Sequence, residues 1–331
     1  MNMLQSRSKL PHYKVAVVGA GHMGRYHIGA YAEIPNVEFV AACDTDAERI
    51  KEQFQAFELP ICTDYRDLIG KVDAASIAVP THLHFQVAKE FLEAGIHVLV
   101  EKPITPSLEE ASELFELAEQ KGCQLHIGHV ERFNAAVLEI KNIVEEPHLI
   151  ETRRLGPFTG RITDAGVVLD LLIHDIDIVQ NLIGRKIIKL SAMGNSIKSD
   201  MEDFVSLQMQ FEGGCVASLL ASRVTEQKSR TLVVHQKDAY VLLDYTDQAI
   251  EIHRQASSSY RFSTNQLRYK QESLIERIFV HKQNPLRLEL QHFLDCCAGL
   301  ATRMTTVEAD LRSLRVALEV LDHLREQNVV S

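Results

Sequence analysis

The tightest constraint on this chain lies near its start, where Lys14-Val-Ala-Val-Val18 runs straight into Gly19-Ala-Gly-His-Met-Gly24. The first segment is short and β-branched, as a buried strand requires. The residues after Gly24 continue as a helix to about Ile34. The three glycines serve different ends, namely a tight turn, close approach of backbone to a pyrophosphate, and close packing of helix on strand. The phosphates would sit on the helix N-terminus, where N–H groups lack intrahelical partners. A GxGxxG by itself is weak evidence, but this one joins a strand to a helix. A second strand, Val37 to Cys43, ends in Asp44, twenty residues past Gly24. A carboxylate there can take the ribose hydroxyls of a dinucleotide. Gly19, Gly21, His22, Met23 and Gly24 are the expected phosphate-side contacts, with Asp44 and Thr45 on the ribose side. Asp44 would repel a 2′-phosphate, so the expected cofactor is NAD, with NADP disfavoured. Arg49 and Lys51 read as a solvated helix face.

The pattern continues. Strands and helices alternate from residue 14 to about 129, with a strand at Ala74–Val79, a helix from about His82, and a capping box at Ser107 and Glu110. Residues 96–103, Ile-His-Val-Leu-Val-Glu-Lys-Pro, are a strand apolar enough to be buried on both faces of a parallel sheet. Pro103 cannot donate to a ladder, so the strand stops and delivers Lys102 to the sheet's carboxyl edge. Open α/β sheets bind ligands at that edge. Residues 1–129 are therefore expected to form a doubly wound dinucleotide-binding domain.

After residue 130 the pattern changes. Arg132–Glu145 reads as a helix, His148–Leu155 as extended and Val167–Gly184 as a helix. Strands then follow one another at Glu202–Phe211, Cys215–Val224, Arg230–Gln236, Tyr240–Tyr245 and Ala249–His253. This predicts a second domain, 130–331, of α+β type on an open, mostly antiparallel sheet. Residues 254–283 are polar and are expected to form an irregular excursion or a substrate-covering loop. Two helices within 285–327 close the chain, the last opened by a capping box at Thr305 and Glu308.

The helix at 167–184 carries the second chemical signal, Asp170-Leu-Leu-Ile-His-Asp-Ile-Asp-Ile178. At about 100° per residue, Asp170, His174 and Asp177 fall in a stripe of roughly 60°. Apolar residues cover the rest of the circumference, so the polar stripe must face partners or a ligand. Asp170 can hydrogen-bond one ring nitrogen of His174 and leave the other to act as a general base. The alternative is a buried structural Asp–His pair. A cation at Lys102 to orient a substrate oxygen and a base at His174 to take its proton are the two groups that oxidation of an alcohol needs.

Bulk properties exclude several classes. A net charge of −10 argues against a general nucleic-acid binder. No apolar stretch approaches a membrane span, and the first fourteen residues lack a signal-peptide core. Six cysteines without CxxC spacing fit reduced thiols in a cytoplasmic enzyme, and no metal site is expected.

Together, Gly19–Gly24, Asp44, Ala78-Val-Pro-Thr-His-Leu-His84, Glu101-Lys-Pro103, Gly128-His-Val-Glu-Arg-Phe-Asn134 and Asp170–His174 resemble the glucose–fructose oxidoreductase / inositol dehydrogenase / MocA family. The likeness runs over the whole chain from Lys14. It implies a Rossmann domain followed by an open-sheet domain whose exposed face builds homodimers or homotetramers. It also implies catalysis by Lys102, Asp170 and His174, with Pro80, Thr81, His84 and Glu101 lining the nicotinamide and Arg132 and Asn134 near substrate or cofactor. The family's usual proline after Arg-Phe-Asn is Ala135 here. Within the family, Arg153–Arg161 and Asn284–Phe293 resemble the nucleotide-sugar 3-dehydrogenases, which oxidise a UDP-N-acetylhexosamine at C3. That substrate's diphosphate would need cations, for which Arg153, Arg154, Arg161 and Arg223 are candidates, with salt bridging at a strand edge as the alternative role. A polyol dehydrogenase of the inositol type and a non-catalytic dinucleotide sensor are the competing functions. Retention of Lys102, Asp170 and His174 argues against the sensor.

Overall fold

The computed structural model describes residues 11–53, 59–159, 165–263 and 266–327. They divide into two compact units, residues 1–130 with 284–312, and residues 131–283 with 313–331.

In the first unit the elements run β1 (Tyr13–Val18), α1 (His22–Ala32), β2 (Val37–Cys43), α2 (Ala47–Gln53), β3 (Ile61–Cys62), β4 (Ala74–Ile77), α3 (Thr81–Glu93), β5 (His97–Glu101), α4 (Leu108–Lys121) and β6 (Leu125–Gly128). All strand pairs are parallel, in the order β3-β2-β1-β4-β5-β6. The order reverses between β1 and β4, and ligands bind at such a switch point. Strands β4 and β5 are almost wholly buried, as their unbroken apolar runs require. Ser107 caps α4 as its spacing predicts, its hydroxyl accepting the Glu110 N–H.

The second unit contains α5 (Ala135–Ile143), β7 (Leu149–Leu155), a π-helical turn (Val168–Leu172), α6 (Ile173–Ile183), β8 (Ile187–Asn195), β9 (Phe204–Phe211), β10 (Val216–Ser222), β11 (Ser229–Gln236), β12 (Ala239–Asp244), β13 (Ala249–Ser263) and β14 (Gln266–Ile278). The eight strands lie in the order β14-β13-β12-β11-β7-β10-β9-β8. Only the β7–β10 pair is parallel. Alternate residues of β9 and β10, among them Val205, Leu207, Leu219 and Ala221, join residues of α5 and α6 in one core. The opposite face of the sheet is left more open, and Arg153 on β7 is exposed there. Among the described residues no helix is long and apolar enough to cross a membrane.

Three expectations are corrected. Residues 254–283 are not an irregular excursion: β13 and β14 pair antiparallel from Ile250↔Ile278 to Ser263↔Gln266. Backbone ladders sustain this hairpin, so the apolar alternation used to recognise strands is a poor guide to it. Next, α7 (Pro285–Cys297) belongs to the first unit and not with the C-terminal sheet. Its stripe Leu286, Leu290, Phe293 and Leu294 is buried with Ile28 and Tyr31 of α1. Finally, α8 (Val307–Glu326) is capped one residue later than expected, the Thr306 hydroxyl accepting the Ala309 N–H. Strand β8, unassigned in the sequence, is an edge strand with only Ala192 fully buried, which explains its weak signal.

Candidate active site

The carboxyl edge of the parallel sheet gathers the cofactor residues. Gly19 follows β1 at φ +93°, and a Cβ there would lie 2.5 Å from the Ala78 carbonyl oxygen. At Gly24 a Cβ would fall 1.7 Å from the Gly19 oxygen, so the third glycine is demanded by helix–turn packing. Gly21 differs: a Cβ would meet nothing within 4 Å, which is the open space a pyrophosphate needs. Gly21 is also the N-cap of α1 and supplies no side-chain acceptor to its first turn. That arrangement fits an anionic ligand at the helix N-terminus. Asp44 holds the turn from the side, its Oδ2 accepting the Ala20 N–H (2.8 Å) and its Oδ1 the Asp46 N–H (3.0 Å). Gly19 N–H in turn donates to the Cys43 carbonyl at 2.7 Å. His22 and Thr45 are exposed and Met23 is half-buried on this edge. The glycine cradle, the uncapped helix and the carboxylate beside it fit a dinucleotide.

On the same edge, the residues on either side of Lys102 are clamped. Glu101 is 5% exposed, and His27 of α1, fully buried, donates from Nε2 to its Oε1 at 2.8 Å. Its other oxygen accepts the Lys102 backbone N–H at 3.2 Å. Burial by itself would raise the Glu101 pKa. The His27 hydrogen bond and the charges of His27 and Lys102 outweigh it, holding the carboxyl below its ordinary range. On the far side, His84 of α3 bridges two carbonyl oxygens, Pro103 from Nδ1 and Val79 from Nε2, both at 2.9 Å. A carbonyl only accepts, so the neutral ring can donate to one of them and the imidazolium to both. Burial lowers the His84 pKa, against the pull of these hydrogen bonds. The resemblance placed His84 and Glu101 on the nicotinamide, but both side chains are buried and engaged in holding the Lys102 turn. Lys102 itself is half-buried, Thr81 half-buried, and Pro80 exposed as the N-cap of α3.

In the second unit, Asp170 lies in the π-helical turn and His174 in the first turn of α6, both half-buried. The i→i+5 ring departs from regular 100° steps, and such turns occur often at functional sites. Glu202 anchors the turn: its carboxylate accepts the Val168 N–H at 3.0 Å and its carbonyl the Val167 N–H at 3.0 Å. A Cβ at Gly166 would lie 2.1 Å from that carboxylate, so the approach requires glycine. Burial raises the Glu202 pKa despite the Val168 hydrogen bond. Asp177, expected to share the stripe of Asp170 and His174, is instead 1% exposed. It accepts from Arg132 Nε (2.7 Å) and Nη2 (2.5 Å), from Ser313 (2.8 Å) and from Asn181 (3.1 Å). Arg132 thus acts as a buried counter-ion in this structure. Asn134 is also structural, capping α5 through the Ala136 N–H and donating to the Tyr245 carbonyl. With Asn134 as the cap, Ala135 takes the first helical position, where proline is favoured but not required.

The arginines divide by face. Arg154 points inward and forks onto Asp175 at 3.0 and 2.9 Å, with its third nitrogen on Glu131 at 2.9 Å. Arg223 is bound to Asp203, the Ala165 carbonyl and Ser199. Both are salt-bridged scaffold groups and not the expected diphosphate cations. Arg153 is exposed, and Arg161 lies outside the described residues. One arginine that the sequence did not single out is Arg230, half-buried and directly opposite Arg154 in the β11–β7 pair. Burial and the Arg154 charge lower its pKa, while Glu131, Asp175 and Asp170 pull the other way. The only available signal for it was its place at the start of a strand. Among the described residues no cluster of three or more His, Cys, Asp or Glu could hold a metal.

Comparison with known proteins agrees with this architecture. Residues 13–129 match the model of an oxidoreductase family with an NAD-binding Rossmann fold. Residues 137–242 match the GFO/IDH/MocA C-terminal domain. Fold and site thus define an oxidoreductase whose cofactor is NAD. The chain belongs to the GFO/IDH/MocA family. It is 31% identical over 310 residues to a UDP-N-acetylglucosamine 3-dehydrogenase of Acidithiobacillus ferrooxidans, covering 93% of this chain and 96% of that protein. A solved structure of the same name and organism superposes with a TM-score of 0.84 at 30% identity, covering 95% and 98% of the two chains. A scyllo-inositol 2-dehydrogenase of Bacillus subtilis is 25% identical over 336 residues, 94% of each chain.

Proposed function

We propose that this protein oxidises a secondary hydroxyl of a nucleotide sugar, with C3 of a UDP-N-acetylhexosamine as the foremost substrate. The observation that carries this reading is the 31% identity to a UDP-N-acetylglucosamine 3-dehydrogenase along nearly the full length of both proteins. Bound NAD supplies the hydride acceptor. Lys102 orients the substrate oxygen with its ammonium group, and the anchored residues on either side of it limit the entropy lost in doing so. His174 takes the hydroxyl proton as general base while Asp170 sets its tautomer. Arg230, on the same sheet face as Arg154, supplies a cation for the substrate's acidic groups, with Arg161 as a further candidate, whereas Arg153 lies on the opposite face. Pro80 and Thr81 lie on the nicotinamide side, and Asp44 selects NAD over NADP. The protein works in the cytoplasm as a homodimer or homotetramer joined through the open face of the β7–β14 sheet.

Polyol oxidation is the second reading, favoured by the inositol dehydrogenase relative. Purified protein with NAD, given UDP-N-acetylglucosamine in one arm and inositol in another, separates the two by NADH absorbance. Turnover of inositol alone would refute the nucleotide-sugar reading, and no turnover of any alcohol would favour the sensor.

A further inference from the structure

The chemistry above uses no cysteine, yet two of them meet beside the cofactor site. Cys43 ends β2 and Cys62 ends β3, and they are register partners in that parallel pair. Register partners point to the same face of a sheet, and neighbouring strands lie about 4.8 Å apart. Disulfides span Cα separations of about 4.4–6.8 Å, so the backbone already sits within bridging range. Cys43 is 3% exposed and Cys62 is half-buried, which gives an outside reagent access to one sulfur. Both backbones touch the dinucleotide contacts. The Cys43 carbonyl accepts the Gly19 N–H at 2.7 Å and the Cys62 carbonyl the Asp44 N–H at 3.1 Å.

We propose that Cys43 and Cys62 form a redox modification site at which hydrogen peroxide closes a disulfide, and that this bond weakens NAD(H) binding by displacing Asp44. Cys62 is the more exposed of the two, and interaction with Cys43 lowers its pKa while the same interaction and burial push Cys43 up. Exposure thus makes Cys62 the attacking sulfur. Its thiolate displaces hydroxide from the peroxide O–O bond, giving a sulfenic acid. The Cys43 sulfur then attacks Cys62 Sγ, losing its proton as the hydroxyl leaves as water. Two thiols and one hydrogen peroxide become one disulfide and two waters; the sulfurs lose two electrons and the peroxide gains them. A sulfur–sulfur bond is about 2.05 Å, well inside the contact distance of two unbonded sulfurs, so closing it pulls Cys43 and Cys62 toward each other at the strand ends. Asp44 follows Cys43 directly, and its 2.8 Å bond to Ala20 is the contact most exposed to that movement. Asp44 so displaced would lose the charge-assisted hydrogen bond it accepts from the ribose hydroxyls, which corresponds to at least about a tenfold fall in affinity. Partial exposure of Cys62 makes such a bond easily reduced again, as a switch requires.

The test is an NADH fluorescence titration of the full chain, reduced and then peroxide-treated, with peptide mapping under non-reducing conditions. The expected result is a linked pair of peptides carrying Cys43 and Cys62, a rise of at least about tenfold in the NADH Kd, and recovery with dithiothreitol. Cys62→Ser and Cys62→Ala, which bind NADH normally when reduced, should keep their Kd after peroxide. Absence of the linked peptides overturns the proposal. So does a link that leaves Kd unchanged, or a loss of affinity that persists in both Cys62 variants. Failure of the reduced wild type to bind NADH is seen before any oxidant is added, and overturns the cofactor site itself and this proposal with it.

Discussion

Replacing His27 by leucine removes the donor that keeps Glu101 ionised inside the first unit. Both side chains are buried, at 0% and 7% exposure, so solvent screening offers little relief. Removing one partner of a buried charged pair costs about 3–5 kcal/mol, because the remaining charge is left without compensation. At roughly 2–4 °C per kcal/mol for a unit of this size, the unfolding transition should fall by about 6–20 °C. The pH dependence has a defined sign. The Glu101 pKa is depressed in the folded state, so its contribution is present above the ordinary carboxylate pKa and is lost as pH falls through the folded value. Without His27 the burial effect dominates, and that acid-side loss of stability should flatten or reverse. A double-mutant cycle with Glu101→Gln, followed by thermal unfolding between pH 4 and pH 8, isolates the pair. The two substitutions should be non-additive by at least about 1 kcal/mol. Additivity within about 0.5 kcal/mol would show that His27 and Glu101 are not coupled, and the account of how the Lys102 turn is held would fail.

Lys102→Ala should abolish turnover while NADH titrations show near-normal affinity; parallel loss of both would place Lys102 in cofactor binding alone. His174→Asn should lower kcat by about 10²–10⁴, and an unchanged rate would remove it as the base. Asp44→Ala should raise the KM for NAD and narrow the preference over NADP, measured with both cofactors at saturating substrate. Arg230→Gln should raise KM for an anionic nucleotide sugar by about tenfold or more with little change in kcat, as expected for loss of one charged hydrogen bond; an equal effect on a neutral sugar would contradict its role.

Features governed by the nearest neighbours in the chain could be read before any fold was known. The strand–glycine–helix opening, the carboxylate after β2, the lysine before Pro103 and the Ser107 cap each follow from local backbone sterics or period, which act over a few residues. Partners brought together across the fold could not. Arg154 and Arg153 are adjacent and chemically identical in sequence, yet strand alternation buries one against Asp175 and exposes the other. Arg132 reads as a substrate ligand until Asp177, forty-five residues away, takes two of its three nitrogens. Cys43 and Cys62 become a pair only through the register of β2 and β3. The physical reason is common to all three cases. A buried charge or thiol takes its chemistry from whatever packs against it, and packing is settled by topology, over distances at which sequence period carries no information.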